Sequence, residues 1–127
     1  MKRDMDLVRL ILIEIEGADT VRTGVTKLAA KLGVEKSAVE HHLTLMEEAG
    51  YVQQHISRPL PTGAGIHAGW RLTWAGYEFL ESIRDPEIWR NTKAAAKDVG
   101  SFAVSLLAQI AKAIVLAKAK ELGFITS

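Results

Sequence analysis

Between Val25 and Val52 the chain reads VTKLAAKLGVEKSAVEHHLTLMEEAGYV, in which two short apolar-periodic segments are separated only by Leu32-Gly33-Val34. Leu28, Ala29 and Leu32 recur at helical spacing in the first segment, and Val39, Leu43, Leu45 and Met46 in the second. Gly33 suits the left-handed residue that ends one helix and lets the next leave at a steep angle. Two helices this short, joined by so tight a turn, cannot lie antiparallel, so they cross, as in a helix-turn-helix. Gly50 then closes the second helix and residues 51–56 begin a strand. No other stretch restricts the fold as strongly.

Composition narrows the function classes. A chain of 127 residues, 48% of them apolar and 24% charged, holds one domain's worth of core with room for an appendage. Cysteine is absent. That excludes disulfides, thiolate zinc sites and cysteine catalysis, and it accords with the reducing cytoplasm, the expected location. The opening MKRDMD carries two acids ahead of any apolar run, so it is not expected to act as a secretory signal. A formal charge of +1 does not by itself argue for a polyanionic partner.

In chain order, the pattern predicts a first helix over 4–16. Asp4 is its N-cap, Leu7, Val8, Ile11, Leu12 and Ile15 its apolar stripe, Gly17 its end, and Arg9, Glu14 and Glu16 its solvated side. A polar linker follows, with Thr23 or Thr26 capping the second helix. The third helix, over 36–49, buries Val39, Leu43 and Met46 and turns Lys36, Ser37, Glu40, His41, Thr44, Glu47 and Glu48 outward. Residues near its N-terminus would meet base edges in a major groove. Lys36, Ser37, His41 and Thr44 suit phosphates or bases. Glu40 repels phosphate unless it accepts from a cytosine amino group. Residues 51–56 and 70–74 alternate as strands, with Trp70 and Leu72 on one side and Arg71 on the other. Between them the Pro- and Gly-rich stretch from Arg58 to Gly69 forms a long wing, where Arg58 and Arg71 suit backbone contacts. Gly63 and Gly65 precede a strand instead of opening a helix, which argues against a nucleotide-binding loop.

Thr73 is expected to cap a fourth helix to about residue 84, with Leu72 and Tyr77 as a staple and Tyr77, Leu80 and Ile83 inside. Asp85-Pro86-Glu87 restarts a helix in the preferred order, cap then proline, with Ile88 and Trp89 as anchors. Arg90, Lys93 and Lys97 form a basic side of this helix, read either as a phosphate track or as a solvated face. Ser101 is expected to cap a last helix over 102–122, stopped by Gly123. Leu106, Leu107, Ile110, Ile114, Val115 and Leu116 cover most of its circumference, so it needs cover on more than one side. A second copy of the chain is the expected cover, with Leu106, Leu107, Ile110 and Ile114 as the oligomerisation residues. Alanine, serine, glutamine and lysine dilute the run too far for a membrane span, which takes about 20 strongly apolar residues.

The expected architecture is therefore mainly α with a small β-hairpin wing: a winged helix-turn-helix domain over 1–84 and a C-terminal helical extension over 85–127. The strings MKRDMDLVRLILIEIEG, HHLTLMEEAGYV and RLTWAGYEFLESIRDPEIWRNTK, with the apolar tail, resemble a prophage-associated family of uncharacterised small winged-helix proteins. The resemblance covers essentially the whole chain. Its most specific string is LTW-x-G-x-x-FL-x-x-IRD-x-x-x-W, carried here by Thr73, Trp74, Gly76, Phe79, Leu80, Ile83, Arg84, Asp85 and Trp89. More loosely, residues 25–84 are similar to MarR-like and PadR-like regulators. That likeness implies a DNA-reading second helix and a dimerising terminal helix. Glu40, and Glu35 in place of a Ser or Thr cap, depart from the pattern.

No catalytic constellation stands out. His41 and His42, adjacent on a helix, point about 100° apart and cannot easily share a metal ion. His55 and His67 could face each other across the wing, without further ligands. There is no nucleophile elbow, P-loop or dinucleotide fingerprint. No enzyme activity, metal or cofactor is expected. The first expectation is a dimeric winged-helix protein that binds double-stranded DNA through Lys36, Ser37, Glu40, His41, Thr44, Arg58 and Arg71. The alternative is a winged-helix module that engages a protein partner through its acidic helix face or its C-terminal helix.

Overall fold

The computed structural model describes residues 1–18, 24–56 and 67–124. Within them lie six helices and a two-stranded antiparallel hairpin set between the third and fourth helices. The chain divides into two compact units, Met1–Glu78 and Phe79–Ser127, and the division falls inside the fourth helix.

The first unit is built around α1 (Met5–Gly17). The Asp4 carboxylate caps it by accepting from the N–H groups of Asp6 and Leu7 at 3.0 and 3.3 Å. Met5, Leu7, Val8, Ile11, Leu12 and Ile15 are all buried, and α1 packs against α2 (Val25–Leu32), α3 (Lys36–Glu48) and the hairpin. Full burial of such side chains stabilises by about 1.5–3 kcal/mol each, before the opposing chain entropy is counted. Arg9, Glu14 and Glu16 are half-buried, not a solvated side. Glu14 pairs with Lys31 at 3.0 Å, bridging α1 and α2. Partly exposed bridges of this kind contribute about 0.2–1 kcal/mol.

Gly33 adopts φ 67° and ψ 33°, and the N–H of Val34 reaches back to the Ala29 carbonyl. That left-handed residue closes α2 and releases the chain into α3 within three residues, as the spacing predicts. Leu28 and Ala29 from α2 meet Val39, Leu43 and Met46 from α3 in the same core. Gly24, not Thr26, occupies the N-cap of α2, and Thr26 lies inside the helix; Thr23 lies outside the described residues.

The hairpin pairs β1 (Val52–Ile56) with β2 (His67–Leu72), Val52 opposite Leu72 and Gln53 opposite Arg71, with a register irregularity at His55/Ile56. Trp70 and Leu72 turn inward and Arg71 outward, as alternation requires. The second strand starts earlier than the alternation alone indicates, at His67 opposite Ile56, and it ends earlier because Thr73 caps α4 (Trp74–Ile83). The Thr73 hydroxyl donates to the Gly50 carbonyl and accepts from the Gly76 N–H at 3.1 Å, while the Thr73 N–H donates to the Tyr51 carbonyl at 3.1 Å. The register also sets His55 opposite Gly69 and His67 opposite Ile56, so the two histidines are not cross-strand partners. On α4, Phe79, Leu80 and Ile83 are buried, whereas Tyr77 is exposed and forms no inner face.

In the second unit, α5 (Pro86–Val99) begins as its sequence dictates, with the Asp85 carboxylate accepting from the N–H groups of Glu87 and Ile88 and Pro86 in the first turn. Trp89 is buried, Ile88 half-buried, and the Lys93 ammonium lies 5.6 Å from the Trp89 ring centre. The next helix, α6 (Val104–Glu121), starts later than expected, because Ser101 accepts from the Ala103 N–H in the turn before it, and Ala103 is the N-cap. Helices α5 and α6 pack together, burying Thr92, Ala96, Leu107 and Ala111. No helix among the described residues is long and apolar enough to cross a membrane.

Gly76 yields a sharp test of the hairpin–α4 corner. A Cβ placed there would stand 2.0 Å from the Tyr51 carbonyl oxygen, a backbone atom that cannot swing aside. Gly76→Ala is expected to destabilise by at least about 1–3 kcal/mol in urea melts, the usual range for overpacking. Gly17→Ala, with nothing within 4 Å of the added carbon, is expected to leave the midpoint unchanged or raise it slightly.

Candidate nucleic-acid interface

Crossing at Gly33 leaves one side of α3 uncovered. Val39, Leu43 and Met46 root the helix in the core, while Lys36, Ser37, Glu40 and Thr44 are exposed along the opposite strip. His41 is half-buried, so its ring is only partly presented. The Thr44 hydroxyl donates to the Glu40 carbonyl at 3.0 Å, which leaves its oxygen to accept outward. Glu35 provides no side-chain cap to α3, so the first-turn N–H groups lack the usual carboxylate or hydroxyl acceptor.

Charge is graded along this strip. Lys36 stands at the N-terminal end, Glu40 in the middle, and Glu47 and Glu48 at the far end, all exposed. Glu47 also accepts from the Gln54 side chain at 3.4 Å, a long contact between the end of α3 and β1. Arg71 sits on the outer face of the hairpin and is held there. It donates to the Gln53 side chain at 2.7 Å and to the Leu72 carbonyl at 3.3 Å. Lys36, Ser37, Glu40 and Thr44 are thus brought onto one surface, and Arg71 onto a strand of the same unit. Arg58 and the Gly63–Gly65 stretch lie outside the described residues.

His42 is absent from the set of site residues expected on sequence grounds, and it lies behind the exposed strip, on the buried side of α3. Only 2% exposed, it is tied at both ring nitrogens. Nε2 accepts the Asp4 backbone N–H at 2.9 Å, and Nδ1 lies 2.7 Å from the Ala38 carbonyl. A backbone N–H can only donate, so Nε2 carries no proton and Nδ1 must be the donor to Ala38. Its position, three residues past Val39 and four before Met46, places it on the inner face. That spacing is the signal by which it could be found. Beside it, Met1, Lys2, Asp4 and Leu7 face Gly33, Val34, Glu35, Ser37 and Ala38 across an open cleft of about 690 Å³, with His42 in its lining.

The oligomerisation set divides in the second unit. Leu107 is fully buried within its own chain and cannot be a partner-facing residue. Leu106, Ile110 and Ile114 are half-buried, and the open apolar surface belongs instead to Val115, Leu116 (52% exposed), Leu122 and Phe124, with Val99 and Phe102 before the helix. Among the described residues, no three His, Cys, Asp or Glu side chains gather closely enough to hold a metal ion.

The pattern of the family described as "Hypothetical protein (DUF2513)" matches residues 2–103, and its end coincides with the N-cap of α6. An uncharacterized protein of Haemophilus influenzae (strain ATCC 51907 / DSM 11121 / KW20 / Rd) is 28% identical over 116 residues, covering 91% of this chain and 96% of that protein. No solved structure matches the chain. The chain belongs to the DUF2513 family.

Proposed function

We propose that this member of the DUF2513 family is a dimeric winged-helix DNA-binding protein, a transcriptional regulator of the kind encoded by phages and prophages. The observation that carries the reading is the exposed strip on α3, a helix anchored by Val39, Leu43 and Met46 that offers Lys36, Ser37 and Glu40 from its N-terminal half and Thr44 just past its middle. Side chains in that half of a second, crossed helix are the ones that reach base edges in a helix-turn-helix complex. The β1–β2 hairpin serves as the wing, with Arg71 against a phosphate. The prophage setting rests on the resemblance of the LTW-x-G-x-x-FL block and its flanking strings.

The electrostatics determine how such a protein would bind. Lys36, Lys27 and Arg71 are exposed cations on α3, α2 and β2 of the first unit. With about three phosphate contacts per protomer, log K falls against log salt with a slope of roughly −3 per protomer. That is shallow for a DNA binder, so discrimination would come from Ser37, Glu40 and Thr44 at the bases and not from bulk charge. Selection from a random duplex pool is expected to enrich a defined site, and Lys36→Ala to weaken binding and flatten the slope by about 0.9. Failure of any duplex to be retained at low salt overturns the reading.

Dimerisation is the second part of the proposal. Val115, Leu116, Leu122 and Phe124 leave an apolar surface on and after α6 that a second copy would cover, continuing over the half-buried Leu106, Ile110 and Ile114. Sedimentation is expected to give a dimer for the full chain and a lighter species for Leu116→Lys with Ile110→Lys. A monomeric full chain at micromolar concentration removes this part.

One observation favours the other class of function. Glu40, Glu47 and Glu48 outnumber Lys36 on the outer strip of α3, and such a surface suits a basic protein partner. The two readings separate at Glu40→Lys. For a DNA binder the added cation strengthens non-specific duplex binding, whereas for a protein-docking module it abolishes the complex.

A further inference from the structure

We propose that the outer face of the opening turns of α4, made by Trp74, Tyr77 and Glu78, is a docking surface for an arginine-bearing segment of a partner protein. This surface is separate from α3 and the hairpin, which the DNA-binding reading uses. Helical spacing sets Trp74 beside Tyr77 and Glu78, three and four positions on, and all three are exposed. Trp74 is 82% exposed and Tyr77 48%, whereas the other two tryptophans, Trp70 and Trp89, are buried. Trp74 neither caps α4, which Thr73 does, nor fills the core, which Phe79 and Leu80 do. Tryptophan, tyrosine and arginine are the side chains that most often anchor protein interfaces, and here two of the three stand open as neighbours.

The aromatic pair is held in place. The Thr73 hydroxyl accepts the Gly76 N–H at 3.1 Å and donates to the Gly50 carbonyl, and the Tyr77 N–H donates to the Thr73 carbonyl at 3.0 Å. Gly76, between the two aromatics, lies against the Tyr51 carbonyl, which fixes the face that this turn presents. Rings carried on a fixed turn give up little conformational freedom on binding.

Charge identifies the occupant. Glu78 supplies a carboxylate beside the rings, and the nearest cations in the sequence are engaged elsewhere. Arg71 donates to the Gln53 side chain and the Leu72 carbonyl, and Arg84 pairs with Glu81 at 3.2 Å. Aromatic faces with an adjacent carboxylate attract a cation. A guanidinium serves both groups, because its plane stacks on a ring while its N–H groups donate to the carboxylate; an ammonium is a point charge and cannot stack. A nucleic-acid strand also stacks on aromatic rings, but its phosphates meet Glu78 with like charge.

The test is an anisotropy titration of the full chain against a fluorescein-labelled peptide of alternating arginine and glycine, beside the same peptide built with citrulline, which keeps the shape and loses the charge. The arginine peptide is expected to bind about tenfold more tightly than the citrulline one. It is also expected to shield Trp74 from acrylamide, a change that reports this site because Trp70 and Trp89 are buried. Trp74→Ala is expected to weaken binding about fivefold, and Trp74→Phe to keep most of it. Glu78→Gln is expected to weaken it about two- to fivefold. All three variants should keep the wild-type unfolding midpoint, because these side chains are exposed. Binding by Trp74→Ala as tight as by the wild type, equal binding of the citrulline peptide, or no binding at millimolar peptide overturns the proposal. So does binding lost in the Glu47→Gln, Glu48→Gln double variant but kept in Trp74→Ala, which puts the peptide on α3. Shielding of Trp74 by oligothymidylate makes the occupant a nucleic-acid strand, and a lighter sedimenting species for Trp74→Ala makes it a second copy; either overturns the proposal. A chain that binds no duplex leaves every one of these measurements decisive.

Discussion

A single left-handed residue, Gly33, sets the geometry on which the first unit depends. A helix that ends in an ordinary right-handed turn has its next segment stacked against it or trailing away. A φ of 67° with the Val34 N–H folded back onto Ala29 sends α3 across α2 within three residues. The crossing has two consequences. It brings Leu28 and Ala29 against the inner face of α3, and it leaves Lys36, Ser37, Glu40 and Thr44 exposed on the opposite face. Burial and presentation therefore come from the same backbone event. A substitution that forced position 33 out of the left-handed region would disturb both.

The far end of α3 is fixed by a second backbone arrangement that is less obvious. The Tyr51 carbonyl accepts the Thr73 N–H while Gly76 crowds the same oxygen, and the Thr73 hydroxyl links the Gly50 carbonyl to the first turn of α4. The end of α3, the start of β1, the end of β2 and the start of α4 meet there. The hairpin is consequently held at its base with a set register, in which Arg71 lies opposite Gln53 on the exposed face. The hairpin is thereby anchored at its base, with Arg71 exposed and hydrogen-bonded to Gln53.

What the sequence disclosed was mainly what local chemistry decides. Asp4 and Asp85 cap because a carboxylate can reach the N–H groups two and three residues on, and Gly33 ends α2 because the left-handed region strains every other residue. The misplacements arose where local rules leave a tie. Tyr77 and Phe79 each fit a helical stripe with Leu80 and Ile83, and only the direction from which α4 is covered decides that Phe79 is inside. Ser101 satisfies the cap rule, yet the chain spends two more residues before α6, because its hydroxyl is used inside the turn. Leu107 looked like one of several equivalent apolar positions on α6, and only packing against α5 separates it from Leu116. His42 shows a different limit. Its spacing marks it as inward, but the partner that makes an inward histidine tolerable is a backbone N–H in another helix's approach.

The remaining tension is between the architecture of the candidate site and its charge. In the proposed reading α3 would enter a major groove, yet its exposed strip is acidic toward its far end. Those facts are reconcilable because the two ends of the strip would meet different parts of a duplex. In the DNA-binding proposal, residues in the first two turns would approach base edges, where Glu40 would accept from a cytosine amino group and Ser37 would exchange hydrogen bonds. Residues in the last turn would stand nearest a phosphate, and there Glu47 accepts from the Gln54 side chain of the hairpin at 3.4 Å. Such a surface would bind random duplex feebly, because few counterions are released, and would gain its affinity from base edges that match. Under that proposal Glu40 would act as a discriminator: a mismatched site would present its carboxylate with an acceptor or an empty edge instead of a donor, and its desolvation would not be recovered.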